Sequence, residues 1–376
     1  MTGLSGHTIS RAYLDWNASA PLRPEAREAM LRAMDETGNP SSVHAEGRKA
    51  KAIVERARAQ VADLAGCDTS QVIFTSGATE AAATVLSAKW MRIAATPVEH
   101  DCVVVQDAET IELDRHGVVH PQTVSSIALK SGDLCIVQAA NSETGVTQSV
   151  LGEGLGNAGS CATLLMDSVQ VLGKCDLNLR ELAGKTIGLA SAHKIGGPKG
   201  VGCILNCTVD DLTPMIAGGG QEQNRRAGTE NVVGIAGFGA AAEAAKRDLD
   251  VGVWDEVANL RNTLETTLQD AAPDLTIFGK DAPRLPNTSC FAIPGWKGET
   301  QVMQMDLAGY AISAGSACSS GKVNKASRVL LAMGFDEITA SSAIRVSIGP
   351  TTTKAELEGF ASAWVSAYRR WKAKAA

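Results

Sequence analysis

Short apolar runs alternate along this chain with longer segments of helical periodicity, and this alternation restricts the fold more than any other feature of the sequence. Buried strands are predicted at residues 71–74, 103–105, 134–138, 163–166, 187–190 and 201–205. Runs that are apolar throughout are typical of strands covered on both faces, so we predict an α/β fold with a mostly parallel sheet between layers of helices. In such sheets the ligand-binding groups cluster where strands end.

Helices are predicted from periodicity and from signals at their ends. They cover residues 24–34, 45–64, 232–250 and 254–269, and a capping box of Thr353 and Glu356 begins a final helix. Residues 271–294 are rich in proline and are interpreted as a loop. We therefore place a domain boundary near residue 250, with residues 13–250 in a large domain and residues 1–12 and 251–376 in a small one.

Lys194 lies within the stretch SAHKIGGPKGVG, residues 191–202, between two of the apolar runs. We expect it on a tight, glycine-rich turn between two strands. Glycines let backbone and ligand approach closely, and a desolvated lysine amine can attack a carbonyl carbon to form a Schiff base. Taken alone, a lysine beside glycine is more often a solvated loop residue, so this interpretation depends on other parts of the chain.

Polar residues stand at the ends of several predicted strands. They are Ser76, Thr79, His100, Asn141, Asp167 and Gln170. The turn at residues 75–80 precedes an alanine-rich helix, where hydroxyls, free backbone N–H groups and the helix dipole can together bind an anion. Each residue has a plain alternative as a cap, a turn residue or a hydrogen-bonded histidine. Together they predict a ligand site at one edge of the sheet.

Two residues of the last third of the chain extend this candidate set. Cys318 lies among small residues in the run AISAGSACSSG, where we expect an exposed thiol that can act as a nucleophile. Arg345 lies on a predicted strand, opposite the isoleucines at 344 and 348, where it can hold a carboxylate by a bidentate pair. The other cysteines lie mostly in apolar runs and are interpreted as buried side chains.

Composition excludes several classes of function. The chain has 376 residues and a formal net charge of −6, so neither nucleic acid nor an anionic membrane is expected as a partner. Residues 1–10 lack the apolar core of a signal peptide, and the weakly apolar stretch at 234–245 is too short to span a bilayer. Nine cysteines without framework spacing indicate reduced thiols and a cytoplasmic protein. We assign no metal site.

Seven short motifs give the chain a specific resemblance to a known family. They are YLD at 13–15, GNPSS at 38–42, FTSGATE at 74–80, DSVQ at 167–170, HK at 193–194 with its GPKG tail, RAGT at 226–229 and GSAC at 315–318. From residue 13 to about residue 349 the chain resembles class V, fold-type I enzymes dependent on pyridoxal phosphate, specifically group I cysteine desulfurases of the NifS/IscS kind. The resemblance implies a mostly parallel seven-stranded sheet in the large domain and a smaller α/β C-terminal domain.

The resemblance also implies how these residues surround pyridoxal 5'-phosphate. Lys194 would bind the cofactor covalently and later move protons at the substrate Cα. Asp167 would face the ring nitrogen and keep it protonated, so that the ring withdraws electrons. Gln170 would hydrogen-bond the ring hydroxyl, and His100 would stack on the ring and shuttle protons. The phosphate would be held by Ala78, Thr79, Ser191 and His193.

The remaining implied roles concern the substrate, the sulfur and a second subunit. Asn141, also a cofactor contact, and Arg345 would bind the carboxylate of L-cysteine. Cys318 would take the sulfur as a persulfide and leave L-alanine, for delivery to an acceptor protein in iron–sulfur cluster assembly or other sulfur metabolism. Thr229 would reach the phosphate bound by the other subunit, which implies a homodimer.

Some features leave alternatives open. Ser142 stands where the family usually has Asn or His. The chain has 31 residues after Arg345 (376 − 345), whereas many relatives carry a longer tail that docks the acceptor protein. The sulfur acceptor is therefore not identified. A selenocysteine lyase or a class V aminotransferase on the same fold is an alternative, and a non-catalytic homologue that binds a partner is another. Cys318 argues against the aminotransferase, and Lys194, Asp167 and Cys318 together argue against the non-catalytic protein.

Overall fold

The computed structural model describes residues 11–104, 107–148, 162–182, 185–315 and 326–375. Its strands are β1 (Ala12–Tyr13), β2 (Val72–Thr75), β3 (Ile93–Ala95), β4 (Glu109–Thr110), β5 (Leu134–Ile136), β6 (Thr163–Asp167), β7 (Thr186–Ser191), β8 (Gly202–Asn206), β9 (Thr276–Ile277), β10 (Thr288–Ala292), β11 (Tyr310–Ala311), β12 (Ser313–Ala314) and β13 (Ala343–Ser347). Its helices are α1 (Pro24–Met34), α2 (Ala45–Ala65), α3 (Ala78–Leu86), α4 (Pro121–Ser126), α5 (Val232–Asp250), α6 (Val253–Ala271), α7 (Gly298–Leu307), α8 (Arg328–Ala332), α9 (Glu337–Ser341) and α10 (Lys354–Ala375). Among these described helices, none combines the length and the apolar character needed to cross a membrane.

The larger sheet of the described chain has seven strands in the order β2-β8-β7-β6-β5-β3-β4. Neighbouring strands from β7 to β4 are parallel, whereas β8 is antiparallel to both β2 and β7. Because side chains alternate along a strand, Phe74 joins the hydrophobic cluster with α2 and α5 on one face, and Ile73 joins the cluster with α3 on the other. The prediction of a mostly parallel seven-stranded sheet covered by helices is confirmed.

A smaller antiparallel sheet, in the order β12-β13-β10-β9, is formed by the last third of the chain. It packs on α6 and α10, where Phe291 lies edge-on to Trp364 with ring centroids 5.6 Å apart. Strand β1 pairs in parallel with β11, so the N-terminal segment joins this part of the molecule. The division into domains near residue 250 stays a prediction.

Two sequence assignments are wrong. Residues 271–294 contain β9 and β10, because the prolines of this segment fall outside both strands and do not interrupt their pairing. Val103 lies in a turn closed by a 2.9 Å hydrogen bond from its N–H to the carbonyl of His100, and residue 105 lies outside the described residues. The side chain of Val103 is nevertheless fully buried, so an apolar run here could not distinguish a buried turn from a strand. The corresponding place in the sheet is taken by β3.

Candidate active site

A cavity of about 550 Å³ lies where β6 and β7 end, and residues of both sheets line it. Its lining includes nine of the residues predicted from the sequence: Ala78, Thr79, His100, Asp167, Gln170, Ser191, His193, Lys194 and Arg345. They come from the start of α3, from strand ends and from β13. The structure therefore brings most of the predicted site residues together around one space.

Lys194 ends a short 3-10 turn between β7 and β8, as predicted. Its Nζ donates hydrogen bonds to the backbone carbonyls of Asn17 at 2.6 Å and Ala18 at 3.0 Å. The strand that follows lies close against the start of α3, because a Cβ on Gly202 would stand only 2.7 Å from the Cα of Gly77. The amine is thus held at the cavity by a defined pair of acceptors.

Asp167 is the last residue of β6 and is 9% exposed. Its Oδ1 accepts a hydrogen bond from the N–H of Val169 at 3.0 Å. Burial raises the pKa of the Asp167 carboxyl, and the charges of His100 and Lys194 act in the opposite direction. A cation bound in the cavity would stabilise the ionised carboxylate further.

His100 lies beside Cys102, a cavity residue that the sequence did not single out. The Nδ1 of His100 accepts the backbone N–H of Cys102 at 3.2 Å and lies 3.0 Å from its Sγ. This arrangement places the proton of the neutral imidazole on Nε2. Burial raises the pKa of the Cys102 thiol to about 12, so this cysteine stays protonated at neutral pH and is a poor nucleophile.

The start of α3 provides the anion-binding features of the cavity. The N-cap residue of this helix is Gly77, which has no side chain, and the side chains of Thr75 and Glu80 accept the N–H groups of Gly77 and Ser76 just before the helix. Burial, followed by the nearby charge of Lys194, lowers the pKa of His193 to about 4. His193 is therefore neutral at pH 7 and would bind an anion by donating an N–H rather than through a charge.

Arg345 is 4% exposed and two of its three guanidinium nitrogens are already bonded. One donates to the carbonyl of Ser142 at 3.0 Å and another to Oδ1 of Asp15 at 2.6 Å. Its Nε is buried without a partner among the described residues. This nitrogen is shielded from the cavity as well as from bulk water, so an anionic ligand would meet the guanidinium at its NH groups, beside the bonds to Ser142 and Asp15.

Three predicted residues are not among those lining this cavity. The amide of Asn141 is committed to its own turn, where Oδ1 accepts the N–H groups of Glu143 and Thr144, each at 2.9 Å; its role toward substrate and cofactor stays a prediction that this geometry does not support. Thr229 lines a separate cavity of about 230 Å³. Cys318 lies outside the described residues.

Asn17 is the main site residue that sequence reasoning missed. It is 1% exposed and bonded on every side: its Nδ2 donates to Oγ1 of Thr288 at 2.9 Å and to the carbonyl of Ser142 at 3.1 Å, while its backbone N–H donates to Ser347 Oγ at 3.0 Å. Its carbonyl accepts the amine of Lys194. Its position two residues after the YLD motif was the one available signal.

Residues 12–360 match the family model of the class-V aminotransferases. A cysteine desulfurase IscS from Dictyoglomus turgidum is 34% identical over 364 residues, which cover 92% of this chain and 91% of that protein. A cysteine desulfurase from Cereibacter sphaeroides is 37% identical over 370 residues, covering 93% and 94%. The solved structure of a NifS-like protein from Rickettsia africae superposes with a TM-score of 0.86 at 30% identity, covering 96% of this chain and 99% of that one.

The chain therefore belongs to the class-V aminotransferase family and has its fold. Within that family, the similarity is to cysteine desulfurases of the NifS/IscS kind, as the motifs predicted.

Proposed function

We propose that this chain is a pyridoxal-phosphate-dependent cysteine desulfurase in which Lys194 holds the cofactor and Cys318 receives the sulfur. The reaction converts L-cysteine and the Cys318 thiol to L-alanine and a persulfide on Cys318. One sulfur atom moves and no external oxidant or reductant is needed. The observation that supports this most directly is the single cavity lined by the amine of Lys194, the buried carboxylate of Asp167 and the guanidinium of Arg345.

The residues present fit pyridoxal 5'-phosphate. The buried Asp167 suits a protonated ring nitrogen, and the start of α3, uncapped by a side chain, suits a phosphate together with Ser191 and His193. Gln170 offers a hydrogen bond to the ring hydroxyl. When bound, the cofactor supplies an electron-withdrawing ring that weakens the bonds at the substrate Cα and at the Cβ–sulfur position.

The chain's own residues then have separate tasks. The guanidinium of Arg345, which lines the cavity, binds the carboxylate of L-cysteine and so orients the substrate. The amine of Lys194 accepts and returns the proton at the substrate Cα. The imidazole of His100, whose Nδ1 accepts the N–H of Cys102, presents Nε2 for proton exchange with substrate. Cys318 acts as a thiolate toward the substrate sulfur, because a hydroxyl at neutral pH is not nucleophilic enough.

Replacement of Cys318 tests the assignment. Cys318→Ser should keep the visible absorption of the bound cofactor and still bind L-cysteine, but it should form almost no alanine. Mass spectrometry should find a persulfide on Cys318 of the wild type. Cys102→Ser is the matched control, since that thiol lines the cavity yet is held protonated, and it should still form alanine and the persulfide.

Undiminished alanine formation by Cys318→Ser would contradict the proposal and favour the alternatives on the same fold. An aminotransferase would require a keto acid as the second substrate. A selenocysteine lyase would show a much higher kcat/KM for L-selenocysteine than for L-cysteine.

The proposal includes a homodimer, a sulfur-acceptor protein and a cytoplasmic location. Thr229 supports the dimer. Its cavity adjoins the main cavity through the shared residues Ser76 and Gly200, but Thr229 does not line the main cavity of its own chain, so a phosphate that it contacts would belong to the other subunit. The acceptor is not identified by the described residues. The location rests on cysteine usage, and the seven cysteines in the described parts of the chain are free thiols.

A further inference from the structure

Lys174 places its amine inside the protein, in the turn that follows β6, and is 4% exposed. Its Nζ donates to Oε1 of Gln170 at 2.7 Å and to Oδ1 of Asn17 at 3.1 Å. These partners are neutral amide oxygens rather than carboxylates. Burial lowers the pKa of Lys174 to about 7, and the charges of Lys194 and Arg345 act in the same direction.

A buried amine with neutral partners is costly to the folded state, whereas an apolar side chain of similar length would not be. A role of the amine toward its two partners would account for this cost. Both partners belong to the site: Gln170 lines the cavity, and Asn17 accepts the amine of Lys194 through its carbonyl.

The amine determines which end of the Gln170 amide points toward it. A side-chain amide can be turned by 180° with little change of shape, so its orientation is set by its hydrogen-bond partners. As an ammonium, Lys174 has N–H donors and no acceptor, so Gln170 must present Oε1 to it. The Nε2 of Gln170 then donates to the carbonyl of Asn17 at 3.0 Å. One further N–H of this amide is left for an acceptor in the cavity.

Lys174 also fixes the residue that holds the catalytic amine. The Oδ1 of Asn17 accepts from Lys174 and, at 3.0 Å, from Nδ2 of Asn287. These bonds hold the Asn17 side chain, and its carbonyl lies 2.6 Å from Nζ of Lys194. Lys174 thus contacts Gln170 directly and is connected to Lys194 through Asn17.

We propose that Lys174 is a positioning residue that locks Gln170 as a hydrogen-bond donor toward the ring oxygen of the bound cofactor and steadies the Asn17 carbonyl that receives Lys194. The inference rests on the proposed function, since the ring oxygen belongs to pyridoxal phosphate. A donor at that oxygen favours its anionic form, whereas a reversed amide would present a carbonyl oxygen and disfavour it. The orientation of Gln170 is therefore measurable in the titration of the bound cofactor.

A double-mutant cycle tests the proposal. Lys174→Met, Gln170→Leu and the double variant are compared with the wild type by two measurements: the Kd of the apoprotein for pyridoxal phosphate, and the pH midpoint of the visible band. Loss of a hydrogen bond to a charged oxygen should weaken binding about tenfold in each single variant. The pH midpoint of the visible band should rise. Without the donor, the anionic ring oxygen is less stable, so it keeps the proton that it shares with the lysine nitrogen up to a higher pH. The midpoint of the double variant should be no higher than that of Gln170→Leu alone, since Lys174 acts on the ring oxygen through Gln170.

Lys89→Met, at an exposed site, is the matched control and should change neither quantity. Additive effects of the two substitutions on the midpoint would overturn the proposal, because Lys174 would then act on the ring oxygen by its charge and not through Gln170; so would a Lys174→Met protein with an unchanged Kd and midpoint. If Lys174→Met does not fold, Lys174→Gln replaces it: it offers an acceptor as well as a donor, and it should shift the midpoint in the same direction. An unshifted midpoint there also overturns the proposal. If the wild type itself shows no visible band with pyridoxal phosphate, the proposed function has failed instead.

Discussion

Arg345 and Asp15 form an ion pair, with a guanidinium nitrogen 2.6 Å from Oδ1 and both side chains largely shielded from water. The pair joins β13 to the N-terminal segment and fixes the plane of the guanidinium at the cavity. Because another nitrogen is held by the carbonyl of Ser142, the guanidinium is fixed in one orientation. Such a fixed fork binds a carboxylate with less loss of side-chain entropy than a flexible cation would.

Arg345→Lys should raise the KM for L-cysteine about tenfold or more, with a smaller change in kcat, since a lysine cannot keep the Asp15 and Ser142 bonds and still offer a planar donor to the substrate. Steady-state kinetics of alanine formation measures this. Asp15→Asn, which removes the charge but keeps an acceptor, should give a smaller rise. An Arg345→Lys enzyme with the wild-type KM would show that the substrate carboxylate binds elsewhere.

Lys194→Ala should abolish the visible band of the bound cofactor while the melting temperature stays close to that of the wild type, because the residue lies in a turn and contributes little packing. Borohydride reduction of the wild type followed by peptide mass spectrometry should place the cofactor on Lys194. Lys199→Ala, in the same cavity, is the control and should keep the attachment. An intact band in Lys194→Ala would mean that a different lysine is the anchor.

Thr229 provides a test of the shared site. If it acts across the subunit boundary, mixing inactive Lys194→Ala subunits with inactive Thr229→Ala subunits should restore activity, because in a mixed dimer one site carries both substitutions and the other neither. About half of the dimers are mixed at equilibrium if subunits exchange freely. Mixing two Lys194→Ala preparations is the control. No recovery despite demonstrated exchange and a strong Thr229 defect would count against a site built from two subunits.

Glu99 gives a prediction for stability against pH. Its side chain is 1% exposed, its Oε2 has no hydrogen-bond partner among the described residues, and burial raises the pKa of its carboxyl to about 7. The folded state therefore binds the proton more tightly than the unfolded state does, so the free energy of unfolding should fall as the pH rises from about 4.5 to about 7. Above that range the loss is complete.

Glu99→Gln should flatten this dependence and increase the free energy of unfolding at pH 8 by about 3 kcal/mol at most. Urea unfolding between pH 4.5 and 8 measures it. Glu112→Gln, at an exposed position, should leave the curve of the wild type unchanged. Parallel curves for Glu99→Gln and the wild type would show that folding does not raise the pKa of Glu99.

Local patterns predicted most of the fold. The helices observed at Pro24–Met34, Ala45–Ala65, Val232–Asp250 and Val253–Ala271 agree with the sequence to within two residues, because periodicity and capping are local properties. The strands were less certain. Strand β10 is defined by its pairing with β13 more than fifty residues later, and no feature near it in the sequence distinguishes it from a loop.

The site residues also fall into those that local sequence patterns predict and those that only long-range contacts define. Strand ends and motifs pointed to Asp167, Lys194 and the start of α3, and these residues line one cavity. Asn17 and Lys174 could not be found by such reasoning, since their importance lies in hydrogen bonds between residues 153 to 177 positions apart. An amide oxygen that receives a buried amine looks, in the sequence, like any other asparagine or glutamine.

The N-terminal segment contacts residues that are synthesised much later than the segment itself. Asp15 contacts Arg345 across 330 positions, and Asn17 contacts Asn287 across 270. A nascent chain therefore carries residues 15–17 without these partners until β13 has left the ribosome, and any product that stops before β13 lacks a complete cavity. Contacts between residues so far apart in the sequence require closure of a long loop. The chain cannot engage substrate until β13 has been synthesised.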